Sequence, residues 1–215
     1  PDLQAAHAHC PWLLTWDDHE VENDYADGVS ETLDPNFLLR RAFAYQAYYE
    51  NMPVPRRMLP HGPDMRIYDA IDYGSLLRFH ILDTRQYRSP QACPAENRHG
   101  SSAIDDTCAE RLDPNRSMLG AAQERWLEAS FAGSKARWNV IVQTSLFAPE
   151  RQGSTSNPTY FSDGWDGYPA ARKKVLDAIQ RHALANPIVV GGDVHAHYVS
   201  NVRADPADER SAVLA

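Results

Sequence analysis

Two short runs hold most of the reactive side chains in this sequence: Trp16-Asp17-Asp18-His19-Glu20 and Gly191-Gly192-Asp193-Val194-His195-Ala196-His197. In the first, adjacent carboxylates repel one another, and a cation or water must offset that repulsion where they are held close. A metal ion resolves the conflict; a solvated acidic turn with helix-capping aspartates is the plain alternative. In the second, the glycine pair permits a sharp turn with close backbone approach. If the next residues are extended, Asp193, His195 and His197 project to one side, and a carboxylate with imidazoles is a metal-ligand set. Its alternative is an exposed strand that carries histidine. His7-Ala8-His9 repeats the H-x-H spacing, but it lies in an alanine-rich helical stretch where residues i and i+2 do not share a face. It is set aside.

A third candidate is Arg85 in Leu82-Asp83-Thr84-Arg85-Gln86-Tyr87-Arg88. A guanidinium just past a strand can bind phosphate through two parallel hydrogen bonds. The alternative is a surface arginine paired with Asp83.

These groups need elements to position them. Pro11–Trp16 is a short apolar run ahead of the acidic cluster and reads as a buried strand. Residues 34–51 have helical spacing after an Asp-Pro start. Residues 65–72 and 76–83 flank a glycine-containing turn and predict an antiparallel hairpin. Residues 84–117, rich in Pro, Asn, Ser and Asp, read as a long surface excursion. A helix is expected over 119–131, a strand over 138–144, a loop over 145–166, a helix over 168–184 opening at Pro169, and a buried strand over 187–191. Strands and helices alternate, which predicts an α/β or α+β layered fold. Apolar strands run straight into polar, acidic or histidine residues, and in α/β sheets ligands collect at that edge.

Composition narrows the class further. A chain of 215 residues, 43% hydrophobic and 23% charged, can bury one substantial core. The net charge of −8 lacks the basic face expected of a nucleic-acid binder and suits cations. No run approaches the roughly 18 apolar residues of a membrane-spanning helix. The start, Pro1-Asp2-Leu3-Gln4, shows no signal-peptide features, which leaves export open. Cys93 and Cys108 share a polar loop and can close a ring worth about 3 kcal/mol if oxidised; free thiols in a reducing compartment are the other reading. Cys10 reads as a small buried hydrophobe.

Trp16–Ala26 (WDDHEVENDYA) resembles the signature of the PhoD-like phosphatases, within the wider calcineurin-like metallophosphoesterases. LDTRQYR at 82–88, DGWDGYPAAR at 163–172, GGDVHAH at 191–197 and the segment 119–149 agree in order. The resemblance implies two packed mixed β-sheets flanked by helices, with residues 1–215 forming the carboxyl-terminal part of one catalytic domain. It implies an alkaline phosphatase and phosphodiesterase that hydrolyses phosphate mono- and diesters with a metal-activated hydroxide.

On that pattern Asp18 is a bridging metal ligand, standing where the superfamily usually has Asn. Asp193, His195 and His197 ligate or closely surround the metals. His19 is the transition-state stabiliser or leaving-group acid, held by Glu20 or another carboxylate, and Arg85 contacts phosphate. Asp17 is a lesser ligand candidate. Trp165, Asp166 and Tyr168 shape the pocket wall, unless WDGYP is simply the start of a packed helix with Asp166 as its cap.

The implied cofactor is a divalent metal, Ca2+ in the first place, with Fe3+ also possible from the family. The implied partner is a small phosphate ester, and the implied location is periplasmic or secreted. No D-x-H or G-D pair precedes Trp16, so the resemblance places further ligands upstream and predicts that the 215 residues alone are inactive. A competing reading is a catalytically dead metal-binding or interaction module; a mononuclear His and carboxylate enzyme of another class is a third.

Overall fold

The computed structural model of the chain describes residues 2–150, 152–154, 157–205, 208 and 210–215. It is a mixed α/β structure built on two sheets. The larger sheet contains β1 (Asp69–Tyr73), β2 (Leu77–Ile81), β4 (Trp138–Val142) and β7 (Pro187–Val190), in the order β1-β2-β4-β7. The first pair is the expected hairpin, antiparallel with Ile71 opposite Phe79. β2, β4 and β7 then run parallel. Their carboxyl ends therefore share one edge, and Asp83, Ser145 and Asp193 all lie just beyond it.

Among the described residues four helices accompany the sheets: α1 (Asp2–His9), α2 (Phe37–Asn51), α3 (Gly120–Gly133) and α4 (Pro169–Arg181). α3 buries Gln123, Leu127, Ser130 and Phe131, which recur at helical spacing, and α4 buries Ala171, Val175, Leu176 and Ile179. These faces close the main core with Leu82 just past β2, Ile141 of β4, Trp165 and Tyr168. His80, fully buried among them, bonds Ser130 Oγ at 2.9 Å and Asn139 Oδ1 at 3.0 Å through its two ring nitrogens. It is a satisfied core histidine. Burial, opposed by the Asn139 bond, pushes it down to about 4. A second core stacks Trp16 on Tyr45, with ring centroids 4.2 Å apart, over Met58, Met65 and Ile67.

The smaller sheet is antiparallel, in the order β3 (Ala103–Asp105), β6 (Asn157–Phe161), β5 (Gln152–Ser154). It corrects two expectations. The supposed surface excursion 84–117 contributes β3 and a short 3-10 turn, and it buries Thr84, Arg85, Gln86, Arg88, Gln91 and Ala92. The supposed loop 145–166 contributes β5 and β6; its positions 151, 155 and 156 lie outside the described residues. Pro158 and Gly153 are unusual strand residues, yet here they face each other across the ladder.

Three further expectations fail. Pro11–Trp16 forms no strand: β2 is already flanked on both sides, so the run is tied instead by the Thr15 hydroxyl donating to the Leu82 carbonyl at 2.7 Å. β7 is half-covered rather than buried, with Ile188 and Val190 exposed. Cys10 is exposed at the end of α1. Cys93 and Cys108 do pair, closing a ring across 15 positions that braces the approach to β3.

Candidate metal centre

The site forms where the Trp16 core hands its chain over to the parallel strand ends. Trp16 is fully buried, so the next two residues emerge in fixed directions. The Asp18 carboxylate folds back onto its own turn: Oδ1 accepts from the His19 N–H at 2.8 Å and Oδ2 from the Asp24 N–H at 2.8 Å. Asp24 in turn accepts from the Ser101 N–H at 2.9 Å, which draws the segment leading to β3 against the site.

From the far side, β7 ends at Gly191. A methyl group there would collide with the Ser145 carbonyl and the Gln143 amide, so only glycine lets the backbone pass. Gly192 then donates to the Thr144 carbonyl at 2.8 Å, and Asp193 takes a positive φ of 65°. That sequence of turns delivers Asp193 to Asp17 and Asp18: one oxygen from each of the three carboxylates lies within 4.8 Å of the others.

Below the cluster sits Arg85, 1% exposed. Asp83 creates the turn that buries it, accepting from the Arg85 and Gln86 N–H groups, each at 3.0 Å. Arg85 Nε donates to Asp17 Oδ1 at 2.6 Å, and its terminal nitrogens reach Asp163 at 3.1 and 2.8 Å. Asp163 is also held by the Arg88 guanidinium and by Gln91 Nε2 at 2.7 Å. Four carboxylates and two guanidinium groups thus leave two negative charges, the complement of one divalent cation.

The pKa shifts follow this layout. Burial pushes Asp17 up, and Asp18 and Asp163 add to the push against the pull of Arg85. Burial, then Asp17, raises Asp193 to about 6, with Arg85 opposing. Asp163 goes the other way: burial would raise it, but Arg88 and Arg85 hold it down at about 2. Burial also works against the Arg85 charge, yet Asp163, Asp17 and Asp18 keep it firmly protonated. Carboxylates pushed up by burial and one another are what a cation would relieve, and an all-oxygen set suits a hard cation such as calcium.

The cluster opens into a cleft of about 310 Å³ lined by Asp18, His19, Ser101, Glu150, Phe161, Trp165, Asp193 and His195, among others. A comparable groove of about 350 Å³ lies between α3 and α4. Its carboxylates Glu124, Glu128 and Asp177 are already paired with Lys174, Arg181 and Lys173, so it gathers no unneutralised negative charge.

Over residues 1–215 the chain matches the family model described as PhoD-like phosphatase. The chain belongs to the PhoD-like phosphatase family. It is 48% identical over 206 residues to alkaline phosphatase D of Bacillus subtilis (strain 168), covering 95% of this chain and 34% of that protein. A solved structure described as the structure of PhoD superposes with a TM-score of 0.89 at 46% identity, over 99% of this chain and 40% of that one. This PhoD-like chain therefore has the metallophosphoesterase-like fold and spans about a third of the curated relative's length.

Within this PhoD-like site the structure separates the residues singled out from sequence. Asp18 and Asp193 meet, and Asp17 joins them. His195 lines the cleft but stands outside the carboxylate cluster, and His197 is exposed. The same-side alternation fails because Asp193 and His195 both have positive φ, 65° and 53°. His19 is exposed at the cleft, while Glu20 accepts from the Asp17 N–H at 2.9 Å. Arg85 is neither a surface residue paired with Asp83 nor a lining residue of the cleft. Trp165 and Asp166 line it; Tyr168 is buried behind, donating its hydroxyl to the Ser89 carbonyl at 2.7 Å. Asp166 caps no helix: its carboxylate takes the Glu150 N–H at 2.7 Å and Arg172 at 2.6 Å. Asp163, Arg88 and Gln91 were missed, although LDTRQYR and DGWDG contain the first two. Asp163, a charge two residues past β6, carries a strand-end signal; nothing in the local pattern marks Arg88 or Gln91.

Proposed function

We propose that this chain carries part of the active centre of a metal-dependent phosphoesterase acting on phosphate mono- and diesters, with residues 1–215 forming the carboxyl-terminal part of one catalytic domain. The observation that supports this most is the convergence of Asp17, Asp18 and Asp193 at a cleft that also exposes His19 and His195. In this reading Asp17, Asp18 and Asp193 hold a divalent cation, calcium in the first place with iron as the family's alternative, and His195 and His197 complete its surroundings. A bound cation there supplies an acidified water and offsets the charge of the phosphate.

The rest is work for the chain's own groups. His19, exposed at the cleft mouth, donates a proton to the leaving oxygen. Phe161 and Trp165 exclude water from the apolar side, and Ser101, fixed through Asp24, shapes the opposite wall. The Cys93–Cys108 bond supports a periplasmic or secreted location, since disulfides persist in oxidising compartments.

The test pairs two measurements: calcium binding to the chain by calorimetry, and hydrolysis of a chromogenic phosphodiester by the full-length protein with and without chelator. Binding that Asp18→Asn weakens at least tenfold, with turnover abolished by chelation, is the expected result. Chelator-insensitive turnover overturns the metal mechanism. Cation binding without any turnover favours a metal-binding module instead.

A further inference from the structure

We propose that Arg85 is a positioning residue for the metal centre: through Asp17 it sets the geometry of the carboxylate cluster, and it is itself locked by Asp163, Arg88 and Gln91. This rests on the metal-centre reading above and assigns roles that the motifs alone do not.

The geometry argues against a substrate-binding arginine. A guanidinium has five N–H donors in a fixed planar fork. Arg85 directs Nε to Asp17 and its terminal nitrogens to Asp163, with Asp18 Oδ2 a further 3.9 Å from one of them. At 1% exposure it lies beneath the cleft, not in it. Both Asp163 oxygens are engaged, one by Arg85 alone and the other by Arg85, Arg88 and Gln91. Arg88 also donates to the Asp163 backbone carbonyl at 2.9 Å, and Gln91 to the Asp24 carbonyl at 2.7 Å. Asp163 cannot swing, so the guanidinium plane cannot turn.

Asp17 is then anchored through one oxygen, Oδ1, and among the described residues no side chain bonds the second, which is left for another partner. This is the arrangement by which outer groups orient metal ligands. The anchor has a second consequence. Asp17 and Asp18 are consecutive, and Asp193 arrives from a turn 175 positions away in sequence; without a metal ion between them, Arg85 is the charged side chain among the described residues that offsets their repulsion, from below. Arg85 therefore holds the apo cluster open and correctly spaced, which a lysine with a single point charge on a flexible stem does less well.

The experiment measures calcium affinity of the full-length protein by calorimetry, with melting temperatures taken without calcium, for Arg85→Lys, Asp17→Asn and the double variant. Arg85→Lys is expected to weaken calcium binding roughly tenfold or more and also to lower metal-free melting, since lysine keeps the buried charge but not the fork of bonds to Asp17 and Asp163. In the Asp17→Asn background the same change is expected to add nothing, since its route is gone. Affinity unchanged in a destabilised Arg85→Lys chain makes Arg85 merely structural and overturns the proposal. Effects that multiply in the double variant overturn the route through Asp17. A full-length parent that binds no calcium overturns the metal reading itself, a distinct failure.

If Arg85→Lys does not fold, the parent still decides. The Arg85 Nε–H nitrogen resonance, protected by burial, is expected to shift on calcium addition as Asp17 divides its charge between two partners. A resonance that stays put while calcium binds overturns the proposal.

Discussion

Asp163 and Asp193 belong to the same charge network, both within reach of Arg85's influence, yet they are opposite cases. Asp163 is 1% exposed and balanced inside the protein: two guanidinium groups and a side-chain amide meet its oxygens, and it stays ionised down to about 2. Asp193 is partly open to the cleft, faces Asp17 and Asp18, and is raised to about 6. Burial penalises both charges; what differs is who neutralises them. A carboxylate whose counter-charge is built into the chain is structural. One whose counter-charge is missing is available to something from outside.

That contrast is easiest to break at Asp163. Asp163→Ala leaves buried Arg88 without its carboxylate and Arg85 with Asp17 as its main counter-charge, and removing one partner of a buried pair costs about 3–5 kcal/mol. Urea unfolding checks it. A loss well under 1 kcal/mol would mean that water reaches the network and that the two aspartates differ less than their surroundings suggest.

Acid titration sharpens the same point. Asp163 has a folded pKa of about 2, below the ordinary value near 3.9 of an unfolded chain. The folded state thus binds its proton later, so the stabilisation is complete above about pH 4 and is lost as pH falls through about 2. Each pKa unit is worth about 1.4 kcal/mol, so the contribution is about 3 kcal/mol. Stability measured between pH 5 and pH 2 should carry this acid limb, and Asp163→Asn should lack it.

How legible this was from sequence depends on how far apart the partners lie. The three main helices, the β1–β2 hairpin and the parallel strand ends are written in local periodicity, and the resemblance of motifs gave the layered fold. Asp18 and Asp193 stand out because each follows an apolar run, where a charge needs a reason. Arg85 was visible as a residue but not as a partner: its bond to Asp163 spans 78 positions, and no local pattern reports such a pairing. The strands of the smaller sheet could not be placed because they are three to five residues long and one contains Pro158, composition that reads as loop. His195 and His197 looked aligned with Asp193 only under an extended backbone; positive φ at two non-glycine residues carries no compositional signature.

The smallest effect is the most discriminating, because its sign reverses with conditions. In the metal-free chain at neutral pH, ionised Asp193 is a cost: its folded pKa is raised above the unfolded value, so any stability it contributes is present below about pH 4 and is lost as pH rises through about 6. Asp193→Asn removes that repulsion and should raise metal-free stability by about 1 kcal/mol, the partial exposure of the group keeping the figure low. With calcium the order should invert. The parent gains stability according to how far calcium exceeds its dissociation constant, and the variant, short of one carboxylate, gains less. Melting curves of both proteins with and without calcium therefore have to cross. If Asp193→Asn destabilises the chain under both conditions, Asp193 is a structural group like Asp163, and the distinction between balanced and waiting carboxylates fails where it matters most.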